Sequence, residues 1–359
     1  MMFNKYKKFF KNKRILIMGN TGFVGSYLSL TLNLMGSKIL GYSLKKKDKR
    51  YLSNSLEYKK KIKTIFDDII NIEKYKNTIR NFKPQIIIHL ASQPIVFKSY
   101  INPKKNYETN VMGTVKLLEL SKELKCLKNI LIFTSDKVYK NLERHKLDEQ
   151  SPLGGDDPYS ASKSSQDLIS NSYKNSFFKY SKNIFILRAG NILGGGDWEK
   201  SRLIPDLFLS NLKKKNINLR NSNATRPWQH ILDVTEGILK LLLVKGKKIH
   251  NKSHIYNIGP KSGSNLSVKT LVKKFLEKTD YLKITYKTGK INFREKKILK
   301  LSSKLITKNI KWTPKLSVDE IIKLTSEWYV NFFKNSKTIY KFTEMQIKFF
   351  FISDYNVDK

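Results

Sequence analysis

Arg14-Ile-Leu-Ile-Met18, followed at once by Gly19-Asn-Thr-Gly-Phe-Val-Gly25, is the stretch that decides the fold. The apolar run reads as a buried strand, and the spaced glycines as the turn that leads from it into a helix. Ser26–Met35 has helical period, and Lys38-Ile-Leu-Gly-Tyr42 reads as the next strand. Strand, glycine turn, helix, strand is the opening of a doubly wound parallel α/β sheet, the Rossmann arrangement. A pyrophosphate on such a turn must touch backbone, where a β-carbon would intrude, and the helix start adds free N–H donors and a positive dipole end. Gly19, Thr21, Gly22, Phe23, Val24 and Gly25 are therefore candidate cofactor-binding residues, against the alternative of a purely structural tight turn.

The alternation continues downstream. Gln85–Leu90, Asn129–Thr134 and Asn183–Leu187 read as strands, and Asn106–Leu124 and Ser160–Tyr173 as helices between them. Helices are therefore expected on both faces of the sheet. After Arg188 the texture changes. Gly194-Gly-Gly-Asp-Trp198 is loop-like, Asn221–Trp228 reads as irregular, and Leu203–Leu212, Ile231–Val244, Ser267–Lys278 and Val318–Phe333 have helical patterns. The expected organisation is a dinucleotide-binding domain over residues 1–188, to which part of 225–260 returns. A smaller interleaved substrate lobe spans 189–335, and 336–359 form a tail of unsettled order.

With 359 residues, 40% of them hydrophobic, the chain can bury an extensive core. No apolar stretch is long enough to span a bilayer, and Met1–Lys13 lacks the features of a secretory signal, so a cytoplasmic protein is expected. The single cysteine, Cys126, excludes an internal disulfide and a multi-cysteine metal site, and no metal is expected. The net charge of +41 invites a nucleic-acid reading. Against it, 61 of the 70 basic residues are lysines spread along the chain, whereas phosphate and base readers favour the planar arginine fork.

The end of the second strand, near Ser43, normally carries an acid that binds the adenosine ribose. Here Lys45–Lys47 follow instead. A cation there fits the 2′-phosphate of NADP, a solvated basic loop fits equally well, and this spot leaves NAD or NADP open. Asp67, Asp68 and Ile69 are placed to meet an adenine edge, or form an exposed acidic turn.

Tyr159-Ser-Ala-Ser-Lys163 puts a phenol and an ammonium on one helix face, where a cation lowers the tyrosine pKa toward that of a useful base. Thr134-Ser-Asp-Lys137 closes a strand at the sheet end where ligands sit. Ser135 there can bond a substrate hydroxyl, with Asp136 and Lys137 as an acid–base pair; the alternative is a helix cap.

Taken together, Gly19–Gly25, His89-Leu-Ala-Ser-Gln-Pro94, Tyr107-Glu-Thr-Asn-Val-Met-Gly113, Thr134–Lys137 and Tyr159-x-x-x-Lys163 resemble the extended short-chain dehydrogenase/reductases acting on nucleotide sugars. Asp136-Lys137, Pro152–Tyr159, Ala189–Trp198, Arg202–Asp206 and Ala224–His230 make the resemblance strongest to their CDP-glucose 4,6-dehydratase branch. It departs from that pattern at Asn20, Val24, Ser92 and Arg294-Glu295. The resemblance implies NAD as cofactor, with Leu90, Ala91 and Gln93 added to its site, and CDP-glucose as substrate. It implies that Tyr159 takes the 4-hydroxyl proton, Lys163 holds the nicotinamide ribose, Asp136 protonates the departing 6-hydroxyl and Lys137 takes part in the elimination. Asn191, Arg202, Arg226 and His230, with Trp228 beside them, are the implied substrate contacts. A homodimer through Tyr107–Leu124 and Ser160–Tyr173 is implied as well. A 4-epimerase on the same fold and a non-catalytic dinucleotide- or polyanion-binding protein are the rival readings.

Overall fold

In the computed structural model, which describes residues 2–140, 146–178, 181–244, 254–289 and 297–353, the decisive apolar run Arg14–Met18 forms strand β1. Strands β2 (Lys38–Ser43), β3 (Lys63–Phe66), β4 (Ile86–His89), β5 (Asn129–Ser135) and β6 (Asn183–Ala189) follow. The chain then leaves the sheet for β7 (Asn191–Leu193), β8 (Ile217–Leu219) and β9 (Thr225–His230), and rejoins it with β10 (Ile255–Ile258). Next, β11 (Asn265–Ser267) pairs with β9, and β12 (Tyr286–Thr288) with β8. The main sheet runs β10-β6-β5-β4-β1-β2-β3, every pairing parallel.

Helices α1 (Met2–Phe10), α2 (Phe23–Leu34), α3 (Leu56–Lys61), α4 (Lys76–Phe82), α5 (Val96–Ile101), α6 (Pro103–Tyr107), α7 (Gly113–Glu123) and α8 (Pro158–Tyr173) accompany the first six strands. Then come α9 (Leu203–Leu212), α10 (Ile231–Leu242), α11 (Val268–Lys278), α12 (Lys304–Ile310), α13 (Val318–Lys334) and α14 (Ile339–Ile352). Alternate strand residues feed opposite faces. Leu16, Met18 and Ile87 pack with Leu117 and Leu118 of α7, while Ile15, Ile17 and Ile88 pack with Leu28 of α2 and Ile238 of α10. Strands apolar on both sides need such double cover, which is why β1 and β4 lie in the middle of the sheet.

Two expectations from sequence are revised, and one point left open is settled. Asn221–Trp228 was expected to be irregular, yet Thr225–His230 is the central strand of a sheet ordered β11-β9-β7. Pro227 reads as a breaker, but its partner strands are only three residues long, so one missing donor costs little. The helix expected over Asn106–Leu124 contains a π turn at Glu108–Met112. Finally, the segment after Asn335 contributes α14, which buries Tyr340, Ile347 and Phe350. Phe351 meets Tyr6 of α1 edge-on, 5.6 Å between ring centres. Arg294 and Glu295 lie outside the described residues.

Candidate active site

The carboxyl ends of β1, β4, β5 and β6 open onto one cavity of about 450 Å³. Its sheet side is lined by Gly19, Gly22, Phe23, Val24, Gly25, Leu90, Ser135, Asp136, Lys137, Tyr159 and Lys163. Asn191, Arg202 and Arg226 line it as well, from the chain beyond β6. A crevice beyond the strand ends is where ligands of open α/β sheets sit.

The glycines of the turn divide their work. Gly19 has φ +83°, and an added β-carbon would stand 2.8 Å from the Ala91 nitrogen. A β-carbon at Gly25 would overlap the Gly19 carbonyl, so this glycine lets α2 press against the strand end. At Gly22 the nearest internal atom is 3.4 Å away, so packing sets no comparable demand there. Gly22 is also the N-cap of α2, with no side-chain hydrogen bond closing that helix end, and it faces the cavity. An open β-carbon position beside uncapped N–H groups fits a dinucleotide pyrophosphate.

Tyr159 is positioned by the start of α8. Asp157 caps that helix by accepting from the Ser160 nitrogen at 2.9 Å, and Pro158 occupies the first helical position. These signals start the helix two residues earlier than expected. The π turn aims Asn110 sideways, so that its amide donates to Ser162 Oγ at 2.8 Å and its carbonyl accepts from the Gln93 nitrogen at 2.8 Å. Asn106 donates to the Pro158 carbonyl at 2.9 Å. The β4–α5 loop and α8 are thereby locked together around the cavity.

The electrostatics correct one expectation. The Tyr159 phenol is pushed up to about 12, chiefly by burial; Ser135 hydrogen-bonds to it and pulls the other way, Asp136 adds to the rise, and Arg202 opposes it. Lys163, expected to ionise the phenol, donates instead to Gln166 Oε1 at 3.0 Å, and burial brings its pKa down to about 7. Gln166 in turn donates to Thr114 Oγ1 at 2.9 Å, and Thr114 meets His89 Nε2 at 2.9 Å. Burial, with Lys163 nearby, lowers His89 to about 3, so its imidazole is neutral beneath the site. On β5, Ser135 donates to Asp136 Oδ1 at 3.0 Å and accepts from the Lys137 nitrogen at 3.2 Å. Ser135 thus fills the cap role that was the alternative reading, while still lining the cavity.

Several expected residues are not among those lining the cavity. His230 is buried as the N-cap of α10, its Nδ1 accepting from the Leu232 nitrogen at 3.3 Å; burial lowers it to about 3. Gln93 spends its amide on Ile95 and Asn106. Asp68 caps the turn at Ile70 and pairs with Lys105 at 2.7 Å, while Ile69 packs under Gly113. Thr21 bonds Ser43 Oγ at 2.6 Å and the Leu44 carbonyl at 2.9 Å, and Ala91 backs Gly19. Sequence reasoning missed Asp197 and Glu199. Asp197 accepts from Arg202 Nη1 at 2.8 Å, holding the guanidinium at the cavity, and the Asp-Trp pair of Gly194–Trp198 was the available signal.

The family model described as GDP-mannose 4,6 dehydratase matches residues 16–325. The chain belongs to that family. Within it, the chain is 35% identical over 333 residues to the CDP-glucose 4,6-dehydratase of Salmonella typhimurium, covering 90% of this chain and 92% of that one. The dTDP-glucose 4,6-dehydratase of Bacillus anthracis, solved in complex with NAD, superposes with a TM-score of 0.72 at 25% identity, covering 92% of this chain and 99% of that one. The UDP-glucose 4-epimerase of Thermotoga maritima has the same fold, with a TM-score of 0.77 at 21% identity over 89% of this chain and 99% of that one. The seven-stranded sheet of this family member is therefore the Rossmann arrangement expected from its glycine turn.

Proposed function

We propose that the chain is an NAD-dependent 4,6-dehydratase that converts CDP-glucose to CDP-4-keto-6-deoxyglucose. The observation that carries this reading is the joint presence of Tyr159, Lys163, Asp136 and Lys137 on one cavity, in a chain 35% identical to a CDP-glucose 4,6-dehydratase. Residues 1–188 with β10 hold the cofactor, and 189–335 hold the nucleotide sugar. NAD, when bound, supplies a reversible acceptor for the hydrogen and electron pair at carbon 4 of the sugar.

This chain's residues handle the protons. Tyr159, once ionised, accepts the 4-hydroxyl proton, and Ser135, hydrogen-bonded to the phenol, favours that ionised form. A ketone at carbon 4 acidifies the proton on carbon 5. Asp136, buried beside Tyr159, protonates the 6-hydroxyl as it leaves as water, and Lys137 assists removal of the carbon-5 proton. Arg202, fixed by Asp197, and Arg226 pair with the diphosphate, where a guanidinium fork matches phosphate oxygens. Asn191 bonds the sugar or phosphates.

The same reading includes action in the cytoplasm, consistent with the lone Cys126, and a homodimer. The helices expected to pair carry exposed Tyr107, Met112 and Leu168, and neighbouring α5 adds exposed Ile101. Among the described residues no helix is long and apolar enough to cross a membrane.

Incubation with CDP-, dTDP-, GDP- and UDP-glucose tests the assignment. Loss of water from CDP-glucose in preference to the others, read by mass and by absorption of the product in alkali, is expected. An unchanged mass with an inverted 4-hydroxyl contradicts it in favour of the epimerase.

A further inference from the structure

The lysine tract after β2 acquires a definite role once Glu199 is placed. Lys46 leaves that tract and lines the cavity. Its ammonium lies over the Tyr51 ring, 4.7 Å from the centroid, and 3.6 Å from Glu199 Oε2. Glu199 reaches the same point from the loop after Trp198, more than 150 residues away in sequence. Its carboxylate also accepts from Lys98 Nζ of α5 at 2.6 Å and from the Tyr51 hydroxyl at 3.3 Å. The side chain is only 16% exposed. Burial alone would raise its pKa, but Lys98 and Lys46 hold it below the ordinary carboxylate range.

We infer that Glu199 is a specificity-determining residue for the dinucleotide: it occupies Lys46 and sets a fixed negative charge where the 2′-phosphate of NADP would otherwise find a cation. The inference rests on the NAD-dependent reading above. Discrimination in open α/β sheets is made at the end of the second strand, by an acid that suits a free ribose or a base that suits the phosphate. In this chain the strand ends in Ser43 and the acid is missing from its usual place. The basic residue is present, and the acid is supplied from the other lobe. A 2′-phosphate entering beside Lys46 must displace a carboxylate already held by two ammoniums and a phenol, and must then face it at short range. A free ribose meets no such repulsion.

Equilibrium binding of NAD and NADP to the purified chain, followed by calorimetry without sugar substrate, tests this. Wild type is expected to prefer NAD. Glu199→Gln, which keeps the shape and removes the charge, should tighten NADP binding about tenfold relative to NAD, the effect of one charge-assisted contact. Adding Lys46→Ala to Glu199→Gln should cancel that gain, because Lys46 is the group released. An unchanged NADP-to-NAD ratio in Glu199→Gln, or a gain that persists in the double variant, overturns the proposal and leaves the cofactor reading intact. Failure of wild type to bind either dinucleotide overturns the cofactor reading itself.

Discussion

Lys163 Nζ donates to Gln166 Oε1 at 3.0 Å, one turn further along α8, and both side chains are buried. With no counter-ion at that distance among the described residues, burial lowers the lysine to about 7 from 10.5. In the unfolded chain it stays protonated to near pH 10. The unfolded state therefore binds more protons between pH 7 and 10, and this group makes the ligand-free protein more stable as pH rises through that window. Lys163→Met should remove that slope. Urea unfolding of both proteins at pH 6, 8 and 9.5 checks it; parallel pH profiles would contradict the burial of an uncompensated ammonium.

Lys137 lies beyond Asp136 at the end of β5, facing the cavity. If it assists removal of the carbon-5 proton, Lys137→Met should spare oxidation at carbon 4 and slow the elimination by about 100-fold or more. Quenched reactions should then contain a 4-ketoglucose nucleotide that retains its 6-hydroxyl. Turnover equal to wild type would remove Lys137 from the chemistry.

Arg226 and His230 stand four residues apart on one strand and are expected to behave differently. Arg226 lines the cavity, whereas His230 caps α10. Arg226→Ala should weaken CDP binding at least about tenfold. His230→Ala should leave CDP affinity unchanged and cost about 1 kcal/mol or more of stability through the lost cap. Calorimetric titration and chemical unfolding of both variants separate the roles; a loss of CDP affinity in His230→Ala would return that residue to the site.

The C-terminal helix is part of the folded body. Trp328 Nε1 donates to Thr343 Oγ1 at 2.8 Å across the α13–α14 contact, and both groups are buried. Thr343→Val keeps the shape and strands the indole donor, which should cost about 1–3 kcal/mol. An unfolding midpoint equal to wild type would contradict this.

The parts of the molecule governed by local rules were legible in the sequence. Apolar runs gave the parallel strands, glycine spacing gave the β1–α2 turn, and the Tyr159–Lys163 interval placed both groups on one helix. What escaped was decided by partners distant along the chain. Pro227 is tolerated in β9 because its neighbours are short, and Asp68 and Gln93 turn away from the cavity toward Lys105 and Asn106. The Lys163 ammonium shares a helix face with the phenol, but which acceptor it meets depends on Gln166 and on burial, and spacing reports neither. Glu199 has no local signature, since its meaning arises only where Lys46, Tyr51 and Lys98 converge on it.

Internal transfer of the carbon-4 hydrogen to carbon 6 of the same hexose, within one cavity, is the step that defines the proposed activity. CDP-glucose carrying deuterium at carbon 4, incubated with the NAD-loaded chain in ordinary water, tests it most directly. The expected product is lighter by one water and carries the deuterium on its new methyl group. Deuterium still at carbon 4 of an undehydrated sugar, or lost to solvent, would contradict it.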